Sequence, residues 1–323
     1  MVSPFDIEEI FPDVGTVRLP RRQAHSSPQS LAVTLLADYT LPARAWLPSA
    51  AIVALLAESG VTTASGRTAI SRLTRRAVLE SSRHGRRSSY RLTQPAADNL
   101  ARGGRWIARF GADVESWDGW WTLIAFSLPQ EATAERRALR GQLRWLGYAP
   151  LYDGLWVSPH PLEEKVATEL SKVAVGTMSV FRARHVEIEA IADQRPIEAW
   201  DTAALARRYD SFIRRWSALL PGVAAGTVTG AAAVRARTEV MDAYRRFPVL
   251  DPLLPSELMP ADWPRQAARD VFVAVYDGLA EPAEEHVRAV AARYDAGRLS
   301  DIRAHTTTEM RDLLTGRGWP PTS

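Results

Sequence analysis

Thr62–Leu92, TTASGRTAISRLTRRAVLESSRHGRRSSYRL, is the stretch from which the rest of this chain can be read. It holds eight arginines (Arg67, Arg72, Arg75, Arg76, Arg83, Arg86, Arg87 and Arg91) against one acid, Glu80, in a chain whose formal net charge is only +3. The positive charge is therefore local. Thr62 can cap a helix, its hydroxyl accepting from the free amides of the first turn. Ala69, Ile70, Leu73 and Ala77 fall on one face and are expected to pack inward. Thr68, Ser71, Arg72 and Arg75 fall on the opposite face, a set of donors and guanidinium forks suited to base edges in a major groove. Val78 and Leu79 lead into a strand in which Leu79, Ser81 and Arg83 alternate with Glu80 and Ser82. His84-Gly85-Arg86 is expected to turn the chain, and Ser88, Tyr90 and Leu92 alternate on the return. Arg83, His84, Arg86 and Arg87 would then sit at the tip of a ribbon. With Arg67 and Arg76 on the helix, they are the candidates for phosphate contacts. A basic helix followed by a basic hairpin is the footprint of a DNA reader.

Upstream, Ser27 to Tyr39 carries Leu31, Leu35, Leu36 and Tyr39 on one helical face. Ser49 to Glu58 carries Ile52, Leu55 and Leu56 on another, with Gly60 ending it and Gly60-Val61 as the tight turn. Helix, helix, reading helix and ribbon make residues 28–93 a winged helix-turn-helix. Residues 1–27, with Pro, Gly, Ser and the basic Arg18, Arg21 and Arg22, read as a flexible N-terminal arm.

Downstream, residues 94–118 read as a connecting helix with Leu100, Trp106, Ile107 and Phe110 inward, closed by the turn Trp117-Asp118-Gly119. Residues 119–195 change rhythm. A strand is expected over Trp120–Leu128, a helix over Glu131–Leu146, a strand region over Leu151–Ser158, a helix over Leu162–Val173 and a bent or doubled strand over Met178–Ile188. That alternation predicts a ferredoxin-like α+β sandwich. Residues 196–323 read as a helical C-terminal domain. A long helix runs from Leu205 through Tyr209, Phe212, Ile213 and Trp216 to Leu220, and Pro221-Gly222 stops it. A second reaches Phe247. The five prolines of Pro248–Pro264 forbid regular structure there. Helices are expected again over Arg265–Leu279 and Pro282–Tyr294, with a fraying tail after Gly316.

The totals exclude several classes. There is no cysteine, hence no disulfide or thiolate metal site, which is compatible with a reducing cytoplasm. No run of apolar residues is long enough to span a membrane, and the N-terminus lacks a secretory signal pattern. No Gly-rich phosphate loop, dinucleotide fingerprint or nucleophile elbow is present. Ser158 and His160, held two apart by Pro159, are poorly spaced for a nucleophile and its base. Asp251 and Asp262 read as caps or turn residues rather than a carboxylate pair. No cofactor, metal or catalytic residue is assigned.

Four segments together resemble the PaaX family of bacterial transcriptional regulators, named for control of phenylacetic acid degradation: RTAISRLTRRAVLES (67–81) with GRRSSYRLT (85–93), WDGWWTLIAFSLP (117–129), LRWLGYAPLYDGLWVSP (143–159) and FPVLDPLLPSELMPADWP (247–264). The resemblance runs from about residue 28 to 315. It implies an N-terminal winged helix, a central domain with the fold of the Cas2 nuclease, a helical C-terminal domain and a homodimer. It also implies a repressor of an aromatic-acid catabolic operon, bound to an inverted-repeat operator in double-stranded DNA and released by an aryl-coenzyme A thioester such as phenylacetyl-CoA. Cas2-type nucleases carry a metal-binding Asp at the end of the first strand. Here Phe126-Ser127-Leu128 stands in that place, which disfavours a metal-dependent nuclease. A non-catalytic dimer scaffold is the other alternative.

Two aromatic groups are candidates for stacking on an aryl group: Trp145, Tyr148, Tyr152 and Trp156 in the central domain, and Trp216, Tyr244 and Trp263 in the helical one. Arg136, Arg137, Arg140 and Arg144, or Arg207, Arg208, Arg214 and Arg215, are candidates for coenzyme phosphates. Each group equally suits a core or a solvated face, and no effector-binding residue is assigned.

Overall fold

Ser27 accepts a hydrogen bond from the Ser30 amide at 3.1 Å, and Pro28, which lacks an N–H that a first turn could not use, begins α1 (Pro28–Thr40). In this computed structural model the described residues are 27–85, 87–112, 116–162, 167–168, 170, 176–187, 195–295 and 299–312. They form two units. One holds the described residues up to Phe110, those from Phe212 to Arg246 and those from Ala267 onward; the other holds Gly111–Ser211 and Phe247–Gln266.

In the first unit α1 is followed by β1 (Leu47–Pro48), α2 (Ser49–Glu58), α3 (Thr63–Arg75), β2 (Leu79–His84), β3 (Arg87–Leu92) and α4 (Gln94–Arg109). Leu36, Tyr39, Ile52, Leu55, Leu56, Ile70 and Leu73 are buried and form a shared apolar centre for the first three helices. The strands make an antiparallel sheet of order β1-β3-β2, and its register pairs Leu79 with Leu92, Ser81 with Tyr90 and His84 with Arg87. The face expected from alternation, Leu79, Ser81 and Arg83 against Ser88, Tyr90 and Leu92, is the observed one. The ribbon turn begins one residue later than the sequence suggests, because His84 still pairs across the ladder.

One inward position is corrected. Ala77 is exposed, not buried, and adopts φ 55°. α3 ends at Arg75 in a left-handed cap, with the Ala77 amide donating to Thr74 O at 3.0 Å and the Val78 amide to Leu73 O at 3.0 Å. That reversal turns Ala77 outward and buries Val78 in its stead.

The remaining helices of this unit are the end of α6 (Thr202–Ser217), α7 (Leu220–Ala224), α8 (Gly230–Tyr244), most of α10 (Arg265–Gly278, after the short α9, Phe247–Leu250), α11 (Ala280–Ala292) and α12 (Thr307–Asp312). Pro221 does not stop a helix; it occupies the first turn of α7, where its fixed φ suits helix initiation. Tyr244 stacks on Phe272 at 4.0 Å, and Phe272 on Tyr276 at 5.3 Å. α12 lies beyond the last helix expected from the sequence, and its Met310 meets α4 at Gly104.

The second unit contains β4 (Trp121–Ser127), α5 (Thr133–Trp145), β5 (Ala149–Tyr152), β6 (Leu155–Ser158) and β7 (Thr177–Ala183). All pairings are antiparallel and the order is β5-β6-β4-β7, the order a βαββαβ chain gives in a ferredoxin-like sheet. The single strand region expected over Leu151–Ser158 is a hairpin, because Asp153-Gly154, with Gly154 at φ 77°, reverses the chain. Leu139 and Leu143 of α5 pack on Ile124, Tyr148, Trp156 and Leu170. Most of the helix expected over Leu162–Val173, the N-terminal arm 1–26, Arg86 and the tail after Asp312 lie outside the described residues.

The proline-rich run is irregular apart from α9 and a 3-10 turn at Ser256–Leu258. Asp251 fixes it. This fully buried carboxylate accepts from Tyr209 Oη at 2.6 Å, Arg265 Nε at 2.7 Å and the Leu253 amide at 2.8 Å. Among the described residues no helix is long and apolar enough to cross a membrane, and no group of three or more His, Asp or Glu is placed to hold a metal ion.

Candidate nucleic-acid interface

Thr62 does cap α3: its Oγ1 accepts from the Ser65 amide at 3.2 Å and donates to Ser65 Oγ at 2.9 Å. Ala69, Ile70 and Leu73 anchor the inner face of the helix, and Gly66 lies against Val53 and Leu56 of α2. This packing leaves Arg67, Thr68, Ser71, Arg72 and Arg75 together on the exposed face. The structure thus brings all four expected base-reading residues onto one surface. Thr68 differs from the others. Its hydroxyl donates to Ala64 O at 2.9 Å, so it presents lone pairs and a methyl group rather than a proton. Arg76 is half-buried at the C-cap.

On the hairpin, Arg83, His84 and Arg87 are exposed, and Arg83 Nε donates to Gly85 O at 3.2 Å, which folds its guanidinium back over the turn. Glu80 is the only acid of the whole stretch. Its Oε1 takes Arg44 Nη2 at 2.6 Å and Arg91 Nε at 2.6 Å, and Arg91 also lies over the Trp46 ring at 4.4 Å. Two arginines therefore neutralise the carboxylate, while Arg67, Arg72, Arg75 and Arg87 have no ion-pair partner among the described residues. The surface left over is positive. Arg44 was not legible as part of this arrangement. It also donates to Leu92 O at 3.0 Å and to Gln94 Oε1 at 3.0 Å, holding the ribbon against the segment before β1. The signal was the lone Glu80 among arginines, an acid that needed more than one partner.

The aromatic and arginine groups considered for an effector are dispersed. Tyr148 and Trp156 belong to the core of the second unit, Tyr152 is exposed, and Trp216 and Tyr244 lie in a different unit from Trp263. Arg136 donates to Leu128 O at 3.0 Å, Arg140 pairs with Asp153 at 3.0 Å and Arg144 lies over Trp156 at 5.4 Å. Three of the four α5 arginines are thus occupied by local contacts. The second unit does contain a cleft of about 420 Å³, lined by Arg144, Tyr148, Trp200, Asp201, Pro248 and Pro252 among others. Burial raises the Tyr148 phenol to about 12, so it stays neutral. His160 sends its ring to Pro252 O at 3.1 Å while its amide donates to Ser158 Oγ, which leaves no side-chain bond between Ser158 and His160.

Comparison with known proteins gives a consistent result. Residues 27–96 match the family model described as PaaX-like protein, residues 114–194 that of the PaaX protein central Cas2-like domain, and residues 200–289 that of the PaaX-like protein C-terminal domain. The transcriptional repressor PaaX of Escherichia coli (strain K12) is 31% identical over 244 residues, which cover 74% of this chain and 75% of that protein. An uncharacterized protein, Rv0674, from Mycobacterium tuberculosis has a solved structure that superposes with a TM-score of 0.52 at 22% identity. The match covers 84% of this chain and 99% of that one, a likeness of fold. The chain belongs to the PaaX family.

Proposed function

We propose that this protein is a DNA-binding transcriptional repressor of the PaaX kind and that its first three helices and ribbon act as a winged helix-turn-helix. The observation that carries the reading is the exposed face of α3, where Arg67, Thr68, Ser71, Arg72 and Arg75 stand together, and where Glu80, the one acid of the stretch, is held by Arg44 and Arg91. In this reading Thr68, Ser71, Arg72 and Arg75 meet base edges in the major groove, and Arg67, Arg76, Arg83, His84, Arg86 and Arg87 hold phosphates. The protein acts in the cytoplasm as a homodimer, and two such readers related by a two-fold axis select an inverted repeat. The family relationship supports control of an aromatic-acid catabolic operon and release by an aryl-coenzyme A thioester. The cleft of the second unit is of a size that a small ligand group fills.

The test is fluorescence anisotropy on labelled DNA from the intergenic region upstream of the protein's own gene, with excess random duplex, before and after phenylacetyl-CoA. Tight, competitor-resistant binding that collapses with the thioester is the expected result. If genome-wide selection of bound fragments yields no preferred sequence, the repressor reading is wrong.

A further inference from the structure

The strongest feature outside the reading surface is α4, which starts two residues after the last strand of the ribbon. Arg102, Arg105 and Arg109 stand at i, i+3 and i+7 on it and share one side of the helix. Over this interval the helix rises about 10 Å. Arg102 and Arg105 are half-buried and Arg109 is exposed. None of the three forms an ion pair or hydrogen bond with a described residue, whereas Arg44, Arg91, Arg140, Arg182, Arg215, Arg245 and Arg265 all pair with carboxylates.

Two further facts show that the charge is uncompensated. Arg102 Nε is shut off from solvent and lacks a partner. Arg105 is drawn below its ordinary pKa by burial and by the charges of Arg109 and Arg102. Asp98, one turn before Arg102 on the same helix, is exposed and accepts from Gln94 Nε2 at 2.8 Å rather than from Arg102. Helix α12, packed against α4, turns Met310 toward Gly104, and its Glu309 is bonded to Arg303 and to the Thr306 amide. A half-buried donor without an acceptor is costly, and like charges spaced one turn apart repel. An anion at the solvent-facing ends of these side chains relieves the repulsion, although it does not reach the enclosed Arg102 Nε.

We propose that Arg102, Arg105 and Arg109 of α4 form a second phosphate-binding surface, separate from the reading helix and ribbon, that takes the sugar-phosphate backbone of DNA flanking the site that α3 reads. This rests on the DNA-binding reading above. α4 follows β3 directly within the same unit, so its charge comes next in the chain to the basic ribbon. A duplex strand offers phosphates in a regular row, and three forks along one helix side suit a row better than a single anion. The surface contributes affinity and orientation without sequence preference.

The test uses full-length protein, labelled random-sequence duplexes of about 12 and about 30 base pairs, and affinities followed across salt. Four proteins are compared: wild type, the triple variant Arg102→Gln/Arg105→Gln/Arg109→Gln, the triple Lys variant at the same positions, and Arg72→Ala/Arg75→Ala. On the long duplex the Gln triple should lower the slope of log K against log salt by about 2–3, near 0.9 per lost phosphate, with a smaller change on the short one. The Lys triple should keep the slope. The Gln triple should melt at or above the wild-type temperature, since repulsion is removed. An unchanged slope on the long duplex, with Arg72→Ala/Arg75→Ala still weakening binding, overturns the α4 assignment alone. Wild type that binds neither duplex overturns the DNA reading together with it. If the Gln triple loses binding of coenzyme A instead, with the DNA slope intact, the phosphates are those of a coenzyme and the backbone assignment is wrong.

Discussion

Arg72 stands exposed on the outward face of α3, between Thr68 and Arg75, and its fork has no acid to satisfy it among the described residues. Arg87 is equally free but sits at the ribbon tip. Position separates their expected effects. Arg72→Ala should cost about 1–3 kcal/mol on the preferred site and relax the sequence preference. Arg87→Ala should weaken all duplexes alike and lower the salt slope by about 1. Binding titrations of the two variants on specific and random DNA check this. Gly176 gives a second prediction at this scale. It has φ 116°, and a Cβ placed on it would lie 2.5 Å from Ser127 O, a backbone atom of β4. Gly176→Ala therefore combines a forbidden backbone region with a collision against the sheet. A loss of more than about 2 kcal/mol is expected in urea unfolding, with the melt of the second unit affected.

The helix α3 combines two local choices that pull in opposite directions. Ala77 holds φ 55° in its C-terminal cap, a region that costs an L-residue about 1–2 kcal/mol and a glycine little. Gly66, in contrast, sits within the helix, and a Cβ there would meet Val53 at 3.6 Å and Leu56 at 3.7 Å, ordinary contact distances. Ala77→Gly should thus stabilise the protein by about 1 kcal/mol. Gly66→Ala should stabilise it by about 0.5–1 kcal/mol, because the helix interior disfavours glycine. Gly66 is buried on the inner side of the helix and Ala77, though exposed, lies beyond its last turn, so DNA affinity should stay within twofold in both. Denaturant midpoints paired with binding titrations test both outcomes. The same cap explains why the ribbon starts where it does: by closing α3 at Arg75 it points Val78 and Leu79 inward to begin β2.

The first unit is tied together by a buried charge. Arg237 of α8 is fully buried, with its guanidinium 3.7 Å from the Tyr276 ring centroid, and it donates to the carbonyls of Tyr276 and His305. Tyr276 in turn donates to Asp38 of α1 at 2.8 Å. Burial, opposed by Arg237, raises the Asp38 carboxyl to about 6, and burial with the Arg237 charge lowers the His305 imidazole to about 3. The signs differ. The Asp38 contribution is complete below its unfolded value of 3.8 and is lost as pH rises through about 6. The His305 contribution is present above 6.5 and is lost as pH falls through about 3. Asp38→Asn should remove only the first. The stability of the variant relative to wild type should accordingly improve as pH goes from 4 to 7, while a flat difference in urea melts across that range would show that Asp38 does not titrate as stated.

The exposed polar face of α3, the cap at Thr62 and the alternation of the ribbon were legible because they depend on neighbours within a few residues, where helical and strand periodicities act directly. The strand–helix alternation after Trp120 was legible for the same reason. Ala77 was misplaced because the same periodicity cannot tell where a helix ends when a left-handed cap is made by alanine rather than glycine. The hairpin at Asp153-Gly154 was hidden in an apolar run short enough to pass for one strand. Long-range partners were beyond local pattern altogether. The pairing of Glu80 with Arg44, of Asp251 with Arg265 and Tyr209, and of Arg237 with Tyr276 and His305 joins residues far apart in the chain. In a sequence where nearly every cation is arginine, composition could not say which of them are neutralised. Sequence by itself determined where positive charge gathers and on which helix face it lies. The tertiary structure decided which arginines are held by buried or half-buried carboxylates and which, on α3 and α4, have no ion-pair partner among the described residues, because ion pairing depends on distance in space rather than along the chain.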